Sequence, residues 1–529
     1  MGKGGRSAGL ETIDEVPSPL TFDFVKDAPK NGNGEYEQLL AEKHIDILDE
    51  NNETIIRVSP HRWWVLFVFG FAAVNQAMVW MILSPSSDEF EKAYGGTFDS
   101  TYINFATNVG NGAFLLFIWP FARIVERYGP SKSTKFSCVC TFACALLRCF
   151  PWPNGVFKSV MTLSMVLSGI AGPWLNFGGP TMSETWFPIH ERVTAQAIGS
   201  VSTFAGFIAG FLLGPNITVM TGDVTPDEQR GRIMILFYVE AGMCLLSLVS
   251  VYIYFPDQPE YSPSISAELK RRRKAQRLVA VPGKPKKKSK FTSIFAKNWR
   301  DYLRMPRYQR FLYLAFAVTL PLGMIQGWQS VLNLNLRDFD INPLEAGYIG
   351  FWMTTSGCVA SVLFAKFMDA FTGRLKTVCC VCLTLATVCM FFIVKLLTAY
   401  DESTADDRSR IRVWLYITCI GAGFFTNISI PLQYEILVET VYGVMSEAAA
   451  VAAVACTSTI VQIILLSFPS KIGGSTIWMN WACLISYLVS WAMLVLFKVD
   501  YKRLEVDTQT GRGGAKRIGV WFDRAFGII

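Results

Sequence analysis

Histidine is nearly missing from this chain: there are three in 529 residues, His44, His61 and His190, each outside the long apolar runs. That removes the commonest buried ligand for zinc or haem, and the commonest proton relay, from any site within those runs. Charge is scarce as well, at 17% of residues against about 25% in soluble domains. With 51% of residues hydrophobic, a soluble enzyme would carry more apolar surface than it could hide, and disorder of the whole chain is excluded. The thirteen cysteines all fall in apolar segments, as at Cys138, Cys140, Cys144, Cys379, Cys380 and Cys382, and none in a long polar loop. A disulfide framework is therefore not expected. Pairs such as Cys138 and Cys140, or Cys380 and Cys382, point about 200° apart on a helix and are wrong for chelating one metal. They read as small apolar fillers. No nucleophile, base and orienting group fall together within the apolar runs, so the chain is expected to be no enzyme and to hold no metal or other cofactor.

What the chain has is apolar length. A polar tail over 1–62, rich in Gly, Pro and Asn and without the apolar core of a signal peptide, reads as disordered. Twelve apolar stretches of about 17 to 25 residues follow, near 63–83, 101–122, 134–151, 160–182, 193–215, 233–255, 311–334, 345–367, 375–398, 412–434, 448–469 and 476–498. Lipid offers no partner to an unpaired backbone group, so each must cross as a helix. The expected fold is an all-α membrane protein with two six-helix bundles, 63–255 and 311–498, joined by a loop over 256–310 and followed by a tail over 499–529.

The charge distribution orients it. Between Asp257 and Arg310 stand sixteen Lys and Arg against four acids, although the whole chain carries only +7. Between membrane spans such a cluster marks the cytoplasmic side and meets anionic lipid; nucleic acid is not an expected partner. An even number of spans puts both termini on that side. Shorter loops agree: Arg123, Arg127, Lys132 and Lys135 follow span two, and Lys366, Arg374 and Lys376 follow span eight. The opposite face is acidic, with Asp88, Glu89, Glu91 and Asp99 after span one and a second acidic segment over 400–407. Asn216 heads a glycosylation sequon on that face, whereas the sequons at Asn52 and Asn427 lie in the tail and inside a span.

A weak repeat links the halves. Glu126, Arg127, Tyr128, Gly129, Pro130, Ser131 and Lys132 are echoed by the segment 369–376, with Gly129 and Gly373 at matching places. Twelve spans, a basic central loop, and an acid followed by Gly and basic residues after spans two and eight resemble the major facilitator superfamily. The resemblance implies a gate at the cytoplasmic face built on Glu126, Arg127, Asp369 and Arg374, the first copy departing from the pattern in Glu126 and in Pro130 and Ser131. More specific runs are Gly169 to Ser200, Gly327 with Trp328, Ala346 to Trp352, and Glu435 to Tyr442. Over about Trp63 to Leu504 these resemble solute carrier family 49, the feline leukaemia virus subgroup C receptor group, and within it the lysosomal member 4 branch. That resemblance implies proton-driven transport of pyridoxine; its receptor-like relatives imply choline, ethanolamine or haem instead, and the plasma membrane as the alternative location. Gly172 stands where the choline carriers have Gln. The tail adds an address: Glu35, Leu39 and Leu40 fit an acidic dileucine signal read by clathrin adaptors.

A facilitator needs a cavity between its halves that holds a solute better than water does, yet releases it. Trp80 in span one and Trp328 in span seven occupy equivalent places, and indole faces attract organic cations and flat rings. Asn75, Gln76, Gln326 and Gln329 lie within about a turn of them and can bond hydroxyls; amides here also bridge helices. An intramembrane carboxylate costs about 2.5 to 3.5 kcal/mol even on insertion scales. Glu240, some seven residues into span six, is therefore the first candidate for proton coupling, with Arg148 at the end of span three as partner; a purely structural pair stays open. Glu435 and Glu439, four residues apart, share a helical face at the cytoplasmic end of span ten. With Glu184, Glu191, Arg192 and Glu447 they read as gate contacts. Small molecule, proton and bilayer are thus the expected partners, and a non-transporting receptor or scaffold is the competing class.

Overall fold

The computed structural model describes residues 58–188, 191–220, 224–263, 306–337, 339, 341–365, 374–401, 405–441, 447–468 and 475–498. The first half holds α1 (Arg62–Met81), a short α2 (Ser87–Tyr94), α3 (Ser100–Tyr128), α4 (Pro130–Arg148), α5 (Asn154–Phe177), a short α6 (Gly179–Trp186), α7 (Arg192–Thr218) and α8 (Pro226–Ile253). The second holds α9 (Pro306–Ser330), a short α10 (Leu332–Arg337), α11 (Pro343–Ala365), α12 (Leu375–Asp401), α13 (Ala405–Val441), α14 (Glu447–Ser467) and α15 (Ile477–Leu496). Each of the twelve apolar stretches falls on a long helix.

Local chemistry sets several boundaries. The Asp99 carboxylate caps α3 by accepting from the Tyr102 N–H at 2.9 Å. Gly129, at φ +90°, makes the turn from α3 into α4, which Pro130 opens at its first position. Thr225 and Glu228 form a capping box at the start of α8. That helix therefore begins at Pro226, earlier than the apolar stretch from 233, and Glu240 sits near its middle. Span four likewise ends sooner than its apolar run, at Phe177, and span seven at Ser330. Among the described residues, nine helices are long and apolar enough to cross a membrane by length and composition. α3 is not one of these, because it carries Asn104, Thr107, Asn108 and Asn111 on buried or half-buried positions. Those are groups a lipid-facing helix would not tolerate.

The packing repeats between the halves. α1 packs on α7, α3 on α5, α4 on α5 and α8. Correspondingly, α9 packs on α14, α11 on α13, and α12 on α13 and α15. Across the halves α7 meets α11 and α3 meets α14, which is the same pair of positions taken twice. Two helices from each half thus enclose the midline, as a pseudo-two-fold demands. Glycines allow the equivalent close crossings: a Cβ on Gly206 of α7 would strike the Val74 carbonyl of α1, and one on Gly323 of α9 would strike the Ser458 carbonyl of α14. On the outer surface Phe67, Phe105, Leu116, Ile253 and Leu496 are exposed, as helices bathed in lipid require.

Candidate functional site

Between the halves lies a cavity of about 180 Å³. α1, α3, α5 and α7 contribute Gln76, Trp80, Asn111, Phe114, Asn176, Phe177, Phe207 and Phe211; α9, α13 and α14 contribute Gln326, Gln329, Ser330, Tyr434, Ser458, Thr459 and Gln462. Among the described residues its wall carries amides, hydroxyls and aromatic rings and no Asp, Glu, Lys, Arg or His. Such a wall can stack on a flat ring or meet a cation with its π-faces, and it can exchange hydrogen bonds with hydroxyls. It offers no counter-ion to a carboxylate or phosphate. Several amides are already held: Gln76 Oε1 accepts from Asn176 Nδ2 at 3.3 Å, and Gln462 Nε2 donates to Ser330 Oγ at 3.3 Å. The Asn111 Nδ2 amide is buried without a partner, a donor in surplus on the wall of the cavity.

Four of the six residues expected to bind solute are brought together: Gln76, Trp80, Gln326 and Gln329. Trp328 and Asn75 are corrections. Trp328 is fully buried in the second half, its Nε1 donating to Asn480 Oδ1 at 2.6 Å, and Asn480 in turn is bonded to Asn335. The reason is angular: residue 328 stands two positions from Gln326, roughly 200° around the helix, so both cannot face the cavity. Asn75 is one position from Gln76, roughly 100° away, and its Nδ2 turns back to the Phe71 carbonyl at 2.8 Å. Asn111, Asn176 and Gln462 join those four on the wall without having been expected there. Each carries a sequence signal, being an amide inside an apolar stretch. Phe114, Phe177, Phe207 and Phe211 had none, because a cavity Phe and a lipid Phe look alike in sequence.

Glu240 and Arg148 do meet, Oε1 to Nη1 at 2.8 Å, with both side chains fully buried. They do not line the cavity. Arg148 also donates from Nε to Ser164 Oγ at 3.0 Å and from Nη1 to the Val79 carbonyl at 3.2 Å, while Glu240 Oε2 has no hydrogen-bond partner.

On the face carrying α2 and α10, side-chain bonds hold the two halves together as a seal. There Arg337 of α10 reaches Glu91 Oε2 at 2.7 Å and Asp88 Oδ1 at 3.4 Å on α2. Beneath them Asn333 Nδ2 donates to Ser87 Oγ at 2.9 Å, and Asn108 of α3 reaches Ser467 Oγ of α14 at 3.2 Å. The acids of this face are legible in the sequence; their partner is not. Arg337→Ala should loosen this seal: spin labels at Asp227 and Leu344, on the first turns of α8 and α11, should move apart in a cysteine-depleted background, and an unchanged distance would count against the latch. Burial pushes the Asp88 carboxyl up from the ordinary carboxylate range, with Arg337 and then Lys92 pulling it down and Glu91 pushing it up. In an opened face the same carboxyl is hydrated. The sealed state therefore binds the proton more tightly, so the seal is favoured in acid and loses that contribution as the pH rises through the Asp88 value. Asp88→Asn should weaken this dependence, so that the distance between those labels changes less on acidification than in the parent, the neighbouring Glu89 carboxyl, also pushed up by burial, keeping the remainder.

The sequence model of the Major Facilitator Superfamily matches residues 65–458 of this chain. The chain belongs to that superfamily. Similar proteins include the solute carrier family 49 member 4 homolog of Xenopus laevis, 29% identical, the match covering 85% of this chain and 94% of that one. The choline/ethanolamine transporter flvcr2a of Danio rerio is 23% identical, over 89% of this chain and 94% of its own. In fold, the chain is similar to the xylose transporter XylE of E. coli in a partially occluded inward-open conformation, with TM-score 0.61 at 11% identity over 84% of this chain and 99% of that one. Homologues and fold alike are those of transporters, not enzymes.

In this facilitator the face opposite the seal, where α1 begins and α15 ends, carries the expected gate motif. Its first copy is anchored from a distance: the Ser131 N–H donates to Asp257 Oδ1 at 2.8 Å, and a Cβ on Gly129 would collide with the Asp257 carboxylate. Asp257, which the sequence offers only as one of the acids of the basic loop, thus caps the first turn of α4. Glu191 forks onto Arg62 at 2.9 and 3.2 Å within the first half, and Arg192 Nε donates to the Phe187 carbonyl at 3.3 Å. Neither of these bonds crosses between the halves. Arg374 is exposed and Glu435 half-buried. Asp369 and the tail residues Glu35, Leu39 and Leu40 lie outside the described residues, as do the side chains of Glu126, Arg127, Glu439 and Glu447. Asn216, the sequon residue, is helical, with Nδ2 on the Leu212 carbonyl at 2.8 Å and Oδ1 accepting from Tyr348 of the second half at 3.3 Å. Its Thr218 is fully buried.

Proposed function

We propose that this facilitator carries a small, ring-bearing, hydroxylated solute across the lysosomal membrane by alternating access, with pyridoxine foremost and protons as the driving ion. The observation that carries the reading is the cavity wall: an indole and several phenyl rings beside neutral amides, with no fixed charge among the described residues. A pyridine alcohol uses all of these, its ring on Trp80 and its hydroxyls on Gln76, Gln326 and Gln329. Size narrows the choice further. Ligand pockets for drug-sized molecules run to about 300–1,000 Å³, so a cavity of about 180 Å³ suits a single ring and is too small for haem. In this reading both termini are cytoplasmic, the sealed face is luminal, and the dileucine signal of the tail engages clathrin adaptors.

A choline or ethanolamine carrier at the plasma membrane is the second reading, favoured by the same π-faces and by similarity to a protein named as a choline/ethanolamine transporter. A receptor or scaffold has less support, since it would need neither a solvated cavity between its halves nor an intramembrane ion pair. For coupling, Glu240 is supported by its chemistry: one oxygen is held by Arg148, and the other, without a donor, is free to take a proton.

The test is uptake of labelled pyridoxine against labelled choline, at two pH values, by cells carrying Leu39→Ala with Leu40→Ala to bring the protein to the surface. Faster pyridoxine entry from acid medium supports the leading reading; choline entry indifferent to pH supports the second. Glu240→Gln is expected to flatten the pH dependence while uptake persists, and an unaltered pH profile would remove Glu240 from coupling.

A further inference from the structure

A buried ion pair that does not line the cavity still touches it through one peptide group. The Val79 carbonyl lies in the last turn of α1, where a carbonyl runs out of intrahelical donors. Its neighbours Met78 and Met81 are satisfied by the backbone N–H groups of Ile82 and Ser84, whereas Val79 receives Nη1 of Arg148 at 3.2 Å. A cation at the C-terminal end of a helix is also favoured by the helix dipole. The next residue is Trp80, whose ring is on the cavity wall.

The same guanidinium also reaches a second element close to that ring. Trp80 lies over Gly110 of α3: a Cβ there would come within 3.1 Å of the indole Cη2 and 3.1 Å of the Met165 carbonyl. Arg148 Nη2 contacts Met165 Sδ at 3.4 Å, and its Nε donates to Ser164 Oγ at 3.0 Å. One side chain from α4 thus ties the helix end that bears the indole and the α5 segment that shares with the indole the space over Gly110, while Glu240 of α8 fixes the guanidinium. Lysine could keep the charge but not the planar fork that serves four groups at once.

We infer that Arg148 is a positioning residue for the Trp80 indole, acting through the Val79 carbonyl, and that the state of Glu240 reaches the cavity by this route. The inference rests on the proposed reading of the cavity only for its consequence in transport; the geometry of the link stands apart from any solute. Protonating Glu240 would weaken its hold on Arg148, and the indole would then shift without a charge ever entering the cavity.

The experiment is ¹⁹F NMR of the full chain, labelled with 5-fluorotryptophan in lipid nanodiscs, with the Trp80 line assigned by Trp80→Phe. The variant is the pair Arg148→Met with Glu240→Leu, which removes the Val79 contact without leaving a lone buried charge. The Trp80 line should shift or broaden, while those of Trp174, bonded to Thr134 in the same half, and of Trp328, bonded to Asn480 in the other, stay in place. Arg148→Lys, which keeps the ion pair, should move the Trp80 line alone; this serves if the double variant fails to fold. An unmoved Trp80 line in either folded variant, or equal movement of all three lines, overturns the inference. If the Trp80 line moves but neither pyridoxine nor choline enters cells bearing the parent protein, the link stands and the reading of the solute falls. If uptake is normal and the line is still, the reverse holds.

Discussion

Replacing Arg148 by Met alone is expected to destabilise this facilitator by about 3–5 kcal/mol, the range for breaking a buried pair by removing one partner. The Glu240 carboxylate would be left fully buried, with neither oxygen bonded to a cation. The Val79 carbonyl and the Ser164 hydroxyl would each lose a donor. Arg148→Met combined with Glu240→Leu should be far closer to the parent, because two apolar side chains of similar volume remove the charge and its need for a partner together. Thermal melting in detergent reads the difference, with the single variant lower by something on the order of 10 °C. Equal losses in the single and double variants would mean that packing, and not the uncompensated charge, dominates at this place.

Trp80→Ala carries the largest expected effect on solute affinity. A desolvated cation–π contact is worth about 2 kcal/mol, and aromatic stacking about 0.5–1.5 kcal/mol beyond area, so the half-saturation concentration should rise by roughly 2- to 30-fold. Trp80→Phe should recover most of the loss for a pyridine ring, and less of it for a quaternary ammonium, since indole is the best cation–π face. Measured on both labelled solutes, the two variants therefore separate the two substrate readings. Trp328→Ala provides the contrast. Its ring fills the core of the second half and bonds Asn480, so its removal should cost about 3–5 kcal/mol of stability with little change in half-saturation for whatever protein folds. An affinity loss at Trp328 as large as at Trp80 would contradict the cavity described above.

Four positions of the cavity wall were legible in the sequence. Gln76, Trp80, Gln326 and Gln329 stand out because polar and amphipathic groups within apolar helices must go somewhere other than lipid. The choice between neighbours was not legible. Trp80 and Trp328 occupy equivalent places by counting along the two halves, yet one lines the cavity and the other faces Asn480. An error of two residues in aligning the halves is about 200° of helix. Glu240 and Arg148 could be named as intramembrane charges, and as partners, from the cost of leaving either alone. That Arg148 would also take the Val79 carbonyl depends on how α1 ends against α4, which no local pattern encodes.

The seal across α2 and α10 is a further case. Asp88 and Glu91 read as luminal acids, but Arg337 is some 246 positions from Glu91 in the chain and belongs to the other half. Nothing in either segment announces the pairing. It arises because α10 follows α9 through a turn at Val331 and so comes to lie against α2.

By itself, the sequence determined the class of solvent and therefore the class of fold. Twelve apolar runs of spanning length leave a chain no way to satisfy its backbone in lipid except as helices, and the two like halves leave a cleft between them. Only the tertiary structure decided which side chains share that cleft, which charge silences which, and where the halves touch. Those contacts depend on helix rotation and on meetings between residues far apart in the chain, and an apolar periodicity constrains neither when lipid, protein core and cavity wall all accept the same phenylalanine.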